Sequence, residues 1–207
     1  MDARRLARDE RADLAVFLAT LSPQQWQAST LCAPWRVRDV VAHLIGYDEL
    51  DTRELLTYVV RGGFRSSRVN ALVLRRHRTH SPEELMALLT SHVRPRGLHA
   101  ALGGRVGLLE GLVHHQDIRR PLGRLRSIPP ERLLVALRTA VIAPDVGGPW
   151  RLRGVRLVAT DLDFSVGVGA EVRGAAEALL MAFAGRPSVL GELSGPGQAR
   201  LASHISR

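Results

Sequence analysis

The sequence predicts a mainly α protein: a helical bundle over residues 1–145, followed by a small α+β portion over 150–207. Three observations carry this expectation. Apolar residues recur at three- and four-residue spacing through the first two thirds of the chain, with short connections between the periodic runs, as bundle helices require. Pro144-Asp145-Val146-Gly147-Gly148-Pro149 then interrupts the pattern. Beyond Trp150, Val155–Ala159 and Phe164–Val168 read as strands, with the turn-rich Thr160-Asp161-Leu162-Asp163 between them as a hairpin connection.

The elements follow in order. Leu6, Leu14, Phe17 and Leu18 mark an amphipathic helix within 4–20. Ser22-Pro23 caps a short turn that carries Trp26 inward. Val37, Val40, Val41 and Leu44 form the buried stripe of a helix from about Trp35 to Asp51, which continues or restarts through Val60 until Gly62-Gly63 breaks it. Residues 64–80 form an arginine-rich solvated helix with Val69, Leu72 and Val73 inward. Ser81-Pro82-Glu83-Glu84 starts the next helix, and Pro95 and Gly97 end it. A further helix begins after Gly103-Gly104 and stops at Pro121 and Gly123, and Pro129-Pro130-Glu131 opens another. In the C-terminal portion a helix is expected over 171–184, then a short one with Val189 and Leu190.

The 207 residues hold 45% hydrophobic side chains, enough for a real core, and no apolar run of about 18 residues, so no membrane span is expected. The single cysteine, Cys32, forms no internal disulfide and suits a reducing cytoplasm, and the charged N-terminus does not look like a signal segment. The net charge is +9 and every basic residue is arginine. These arginines are scattered, and the nine aromatic residues (three Trp, two Tyr, four Phe) offer few stacking platforms. Nucleic acid is therefore set aside as a partner, and a small anionic substrate is the simpler use of the charge.

The chemistry concentrates in Glu110-Gly111-Leu112-Val113-His114-His115-Gln116-Asp117. Glu110 and His114 lie one helical turn apart on one face, a common half-site for a divalent metal, and Asp117 continues that face. His43, on the earlier helix, is the imidazole that can complete the set, with Asp39 four residues before it as a candidate orienting carboxylate. Two nitrogens and one carboxylate leave coordination positions open, as a catalytic centre needs. His115 projects about 100° away from His114 and is a neighbour, not a ligand. Asp117 reads as the acceptor that holds a ligand imidazole or as a general base. Arg119 and Arg120 suit the helix C-terminus. His77, His80, His92 and His99 read as surface or satisfied histidines. The competing reading of the three ligands is an ordinary buried hydrogen-bond network.

Two stretches carry a resemblance. Trp35-Arg36-Val37-Arg38-Asp39-Val40-Val41-Ala42-His43-Leu44 is similar to the W-x-V-x-D-V-V-A-H-L block of the mycothiol-dependent maleylpyruvate isomerase family, part of the DinB-like metal-binding four-helix-bundle superfamily. Glu110 to Asp117, followed by Arg119-Arg120-Pro121-Leu122-Gly123, resembles that family's E-x-x-x-H-x-x-D block and its ending. Leu157–Asp161, Gly185-Arg186-Pro187 and Ser194-Gly195 resemble its small C-terminal portion. The resemblance implies a DinB-like four-helix bundle and a divalent metal, usually zinc, on His43, Glu110 and His114. It also implies mycothiol, the small thiol of actinobacteria, as cosubstrate, which agrees with the arginine-rich composition. The implied chemistry is a metal-bound thiolate attacking a small electrophilic substrate, as an isomerase or an S-transferase. An assisting C-terminal arginine is implied too. Arg173 and Arg186 are the candidates, and Arg186 is carried forward with Asp117 as catalytic. The alternative is a non-catalytic metal-binding or regulatory protein of the same superfamily, which a fourth protein ligand such as Asp117 or Cys32 would indicate.

Overall fold

The computed structural model describes residues 2–143 and 148–205. Chain contacts divide it into two units, 1–124 and 125–207. The boundary motif at Pro144–Pro149 falls largely on 144–147, outside the described residues; by contacts, the helix before it groups with the second unit.

The first unit is built from α1 (Ala3–Leu18), α2 (Pro23–Trp26), α3 (Val37–Glu49), α4 (Thr52–Arg61), α5 (Ser66–Arg75), α6 (Pro82–Ser91) and α7 (Arg105–Arg119), with a kinked 3₁₀ segment over Gly97–Gly104. The helix starts are chemically explicit. Asp2 accepts from the backbone of Arg4 and Arg5 at α1, and Ser22, Asp51 and Ser81 form capping boxes with Gln25, Glu54 and Glu84. The helix expected over Trp35–Asp51 is shorter and ends at Glu49, because Leu50 turns extended and Asp51 caps α4.

Four of these helices form the bundle. α1 packs on α6 and α7, and α3 packs on the same two. Arg4 lies against Gly104, Glu10 bonds His115 and Arg119 covers Phe17, so α1 and α7 run the same way. Leu31, before α3, bonds Asp117 near the end of α7, and Asp48 near the end of α3 bonds His99 before α7 begins, so α3 runs opposite to α7 and hence to α1. Leu14, Phe17, Leu18, Val37, Val40, Val41, Leu44, Ile45, Leu85, Leu89 and Ile118 share one buried cluster. The α4–α5 hairpin is the long crossover between α3 and α6. It approaches α3 closely at Gly46, where a Cβ would come within 2.3 Å of Val73.

In the second unit α8 (Pro130–Ile142) packs on α10 (Ala176–Phe183), with α9 (Gly148–Arg151) and α11 (Gln198–Ile205) beside a small sheet. Strand β1 (Arg153–Ala159) buries Val155, Leu157 and Ala159 in alternation. Strand β2 (Ser165–Gly174) first returns antiparallel along β1 (Val158↔Ser165, Arg156↔Gly167) and then pairs parallel to it (Arg153↔Val168 to Ala159↔Gly174). Gly167 (φ +93°) and Gly169 (φ +135°) supply the backbone for the crossing. The hairpin expectation thus holds only for the first half of β2. Residues 171–174, expected as helix, are strand, because Val172 and Gly174 are buried in two-residue alternation with Glu171 and Arg173. The helix starts at Ala176, whose N–H donates to Asp161 of the turn (2.7 Å). The tail beyond Gly197, left unassigned by pattern, is α11.

Among the described residues, no helix is long and apolar enough to cross a membrane.

Candidate metal centre

The loop before α3 sets the site. Leu31 N–H donates to the Asp117 carbonyl (3.1 Å), and Thr30 Oγ1 donates to the Trp35 carbonyl (2.9 Å). Trp35 is thereby laid over the imidazoles of His43 (4.7 Å between centroids) and His114 (6.2 Å). Tyr47, one turn beyond His43 on α3, meets that ring edge-on at 5.0 Å.

The structure brings His43, Glu110 and His114 together. Their ligand-capable atoms all lie within 4.8 Å of one another. His114 Nε2 is 3.2 Å from Glu110 Oε2, and His43 Nε2 is 3.9 Å from the same oxygen. Metal–ligand bonds of about 2.0–2.1 Å at tetrahedral angles put neighbouring ligand atoms about 3.3–3.4 Å apart, so the donor set fits zinc or a similar ion, with His114 and Glu110 already at that spacing and His43 needing to close in by about half an ångström. His43 and His114 are buried, while the Glu110 side chain is 25% exposed, so the group has one open side.

A plain hydrogen-bond network does not account for His43. Its Nδ1 has no hydrogen-bond partner among the described residues, and its Nε2 faces Glu110 across a gap too long for a hydrogen bond. Asp39 does not orient it as the spacing suggested. The Asp39 carboxylate turns back to accept the Arg36 N–H (3.0 Å), because as the third residue of α3 it satisfies a free backbone donor at the helix start. Asp117 does hold the other candidate imidazole. Its fully buried carboxylate accepts from His114 Nδ1 at 2.9 Å, leaving Nε2 toward Glu110.

The charges follow from burial and these bonds. Burial drives His43 down to about 4, with His114 adding to the fall and Glu110 opposing it, so the imidazole is neutral. Burial also penalises a charged His114, but hydrogen bonds to Asp117 and Glu110 outweigh it and carry His114 up to about 9. Burial would raise Glu110, yet the His114 bond and the nearby imidazoles hold it well below its ordinary range. A proton thus sits between His114 Nε2 and Glu110 where an ion would go.

This has a pH consequence. His114 is raised in the fold, so its contribution to stability is full below about 6.5 and is lost as pH rises through about 9. His43 is depressed, so its contribution is full above about 6.5 and is lost as pH falls toward 4. Metal uptake must expel the His114 proton. The apparent zinc affinity should therefore climb about tenfold per pH unit from about 7 and level off near 9, as chelator competition would measure. A flat profile over that interval contradicts the assignment.

Among the described residues, Cys32 groups with His114 and Asp117 and not with His43 and Glu110. Arg186, in the second unit, donates to the Ala184 carbonyl, and Arg173 pairs with Glu171.

Sequence reasoning missed two buried networks beside the site. His115 Nδ1 donates to Glu10 (2.8 Å, both side chains fully buried), and its Nε2 accepts from Arg119 Nε (2.8 Å), whose guanidinium also donates to the Arg124 carbonyl. Asp48 accepts from Arg11 (2.6 Å) and bonds His99 Nδ1 (2.7 Å). His99 is therefore satisfied as expected. His77 is buried against Glu49 (3.3 Å) and not at the surface, and His92 bonds the Leu88 carbonyl.

Residues 7–102 match the family model described as the mycothiol maleylpyruvate isomerase N-terminal domain. His43 falls inside that match, whereas Glu110, His114 and Asp117 lie beyond it. No curated protein matches the chain. Among solved structures, the fold is similar to a crystal structure of a histidine-to-alanine mutant of the mycothiol-dependent maleylpyruvate isomerase (TM-score 0.62, 16% identity, 95% of this chain and 92% of that one). It is likewise similar to another crystal structure of the mycothiol-dependent maleylpyruvate isomerase (TM-score 0.57, 13% identity, 95% and 92%). At these identities the likeness establishes the fold.

Proposed function

We propose that this chain, whose residues 7–102 match the N-terminal domain of the mycothiol maleylpyruvate isomerase family, is a metal-dependent enzyme joining mycothiol to a small electrophile, as an isomerase or an S-transferase. The observation that carries this reading is the gap between His43 Nε2, His114 Nε2 and Glu110 Oε2.

His43, Glu110 and His114 would hold the ion, and a divalent metal with an open position supplies a field that keeps a thiol deprotonated at neutral pH. Glu110 provides the negative charge and the partly open side. His43 is neutral, so its lone pair is free to bind. Asp117 is a positioning residue: it holds the Nδ1 proton of His114 and so keeps Nε2 turned inward. Trp35 and Tyr47 wall the imidazoles and limit water. In isomerisation the thiolate adds to an activated double bond, the resulting single bond rotates, and the thiolate leaves with the double bond restored. In transfer the new carbon–sulfur bond remains, and either the electrophile's leaving group departs with its electron pair or the carbanion formed by addition takes up a proton from water. Arg186 stays proposed as the substrate-assisting arginine of the second unit.

The non-catalytic alternative requires a closed coordination shell. The engagement of Asp117 on His114 Nδ1, the nitrogen away from the gap, favours the open one. Asp117→Asn should weaken zinc binding by about 10–100-fold while leaving the helical content intact, as titration and circular dichroism would show. The function itself is tested by incubating the chain with mycothiol and either maleylpyruvate or a generic alkylating electrophile, with and without zinc. Zinc-dependent turnover of either supports the proposal. No zinc-dependent rate with both moves the reading to the non-catalytic protein.

A further inference from the structure

At the end of the first unit where α1 begins, a cavity of about 430 Å³ is lined by Arg4, Arg5 and Arg8 of α1 and by Arg94, just past α6. We propose that this cavity binds a small polyanion carrying two or more carboxylate or phosphate groups. The proposal does not depend on the metal centre.

The charge around the cavity is only partly compensated. Arg4 and Arg8 stand four apart on one helix face, an arrangement of like charges that opposes folding unless something offsets it. Arg94 brings a third guanidinium from a separate stretch. The nearby carboxylates are committed elsewhere. Asp2 is occupied as the cap of α1, and Asp9 accepts from Arg5 (3.3 Å) and Arg8 (2.6 Å). Arg4 and Arg94 make no side-chain hydrogen bond or ion pair among the described residues. Two guanidiniums from different elements thus face one cavity with their donors free.

The shape suits a ligand too. Ala7, Pro95 and Ala100 provide apolar wall, against which a short carbon skeleton can lie while its acidic groups meet the arginines. Gly104, also at the cavity, starts α7 without a side-chain cap, and no acidic residue occupies the first turn of that helix, so its positive end adds to the field. The volume falls in the range of small-molecule sites. A ligand with two acidic groups can engage Arg4 and Arg94 together, whereas a monoanion engages one.

The test is isothermal titration of pyrophosphate, citrate and acetate into the full chain and into the double variant Arg4→Ala/Arg94→Ala. Neither arginine carries a partner and Arg4 faces the like charge of Arg8, so the variant should melt no lower than the wild type. We expect saturable binding of pyrophosphate or citrate but not of acetate, weakened at least about tenfold in the double variant and reduced by added salt. The arm that binds more tightly identifies phosphate or carboxylate as the recognised group. Equal affinity in both proteins, as chelation at a metal elsewhere would give, overturns the proposal. So does the absence of binding by both polyanions.

Discussion

Replacing His114 by alanine should lower zinc affinity by more than about a hundredfold and abolish zinc-dependent reaction of mycothiol with an electrophile. The expectation exceeds that for Asp117→Asn because His114 supplies a donor atom, whereas Asp117 only orients one. His43→Ala should behave alike, since its Nε2 belongs to the same group of atoms. The informative control is the adjacent residue. His115 lies about 100° around α7, where it bonds Glu10 and Arg119. His115→Asn should cost stability, through the loss of fitted bonds to a fully buried carboxylate, yet leave zinc affinity unchanged. If the two neighbouring histidines have equal effects on zinc, the assignment of His114 is wrong.

The second large effect concerns stability. Asp48→Ala should destabilise the fold by about 3–5 kcal/mol, because it leaves the Arg11 guanidinium buried without its carboxylate. Arg11 is 1% exposed, and its Nε and Nη2 already lack partners among the described residues, so water cannot replace the lost bond cheaply. The carboxylate also binds His99 and the Arg96 N–H (3.3 Å), tying α1 and α3 to the segment that leads into α7. In urea this loss corresponds to a midpoint lowered by about 1–2 M. Replacing the pair together, as Arg11→Met/Asp48→Leu, should recover much of it, since the cost lies in the unpaired charge. A single variant that loses less than about 1 kcal/mol would show that the pair is not buried as described.

These two networks mark where sequence reading stops. The helix starts at Ser22 and Ser81 were legible because a serine cap and a proline at the first helical position are neighbours in the chain. The Glu110–His114 register was legible for the same reason, since one helical turn fixes which side chains share a face. His43 could be joined to that pair by its residue type and by resemblance. Its partner could not: Asp39 had the right spacing, but a free backbone N–H at the start of α3 competed for the carboxylate and won. Glu10 and His115 are 105 residues apart and Arg11 and Asp48 are 37 apart, so no local pattern links them. Read alone, Glu10 and Arg11 are charges on an amphipathic helix; only packing shows that they point into the bundle. The C-terminal sheet is a further example. Val172 fits a helical stripe with Ala175, Ala176 and Leu179 as well as it fits a strand, and the register with β1 decided between them.

His43, Glu110 and His114 are proposed to hold a divalent metal. The most direct measurement is the metal content of the wild-type chain, purified without chelator and then titrated with zinc. One tightly bound equivalent per chain is predicted, removed by a strong chelator and restored by added zinc. A chain that is metal-free as purified and takes up no added zinc would contradict the claim.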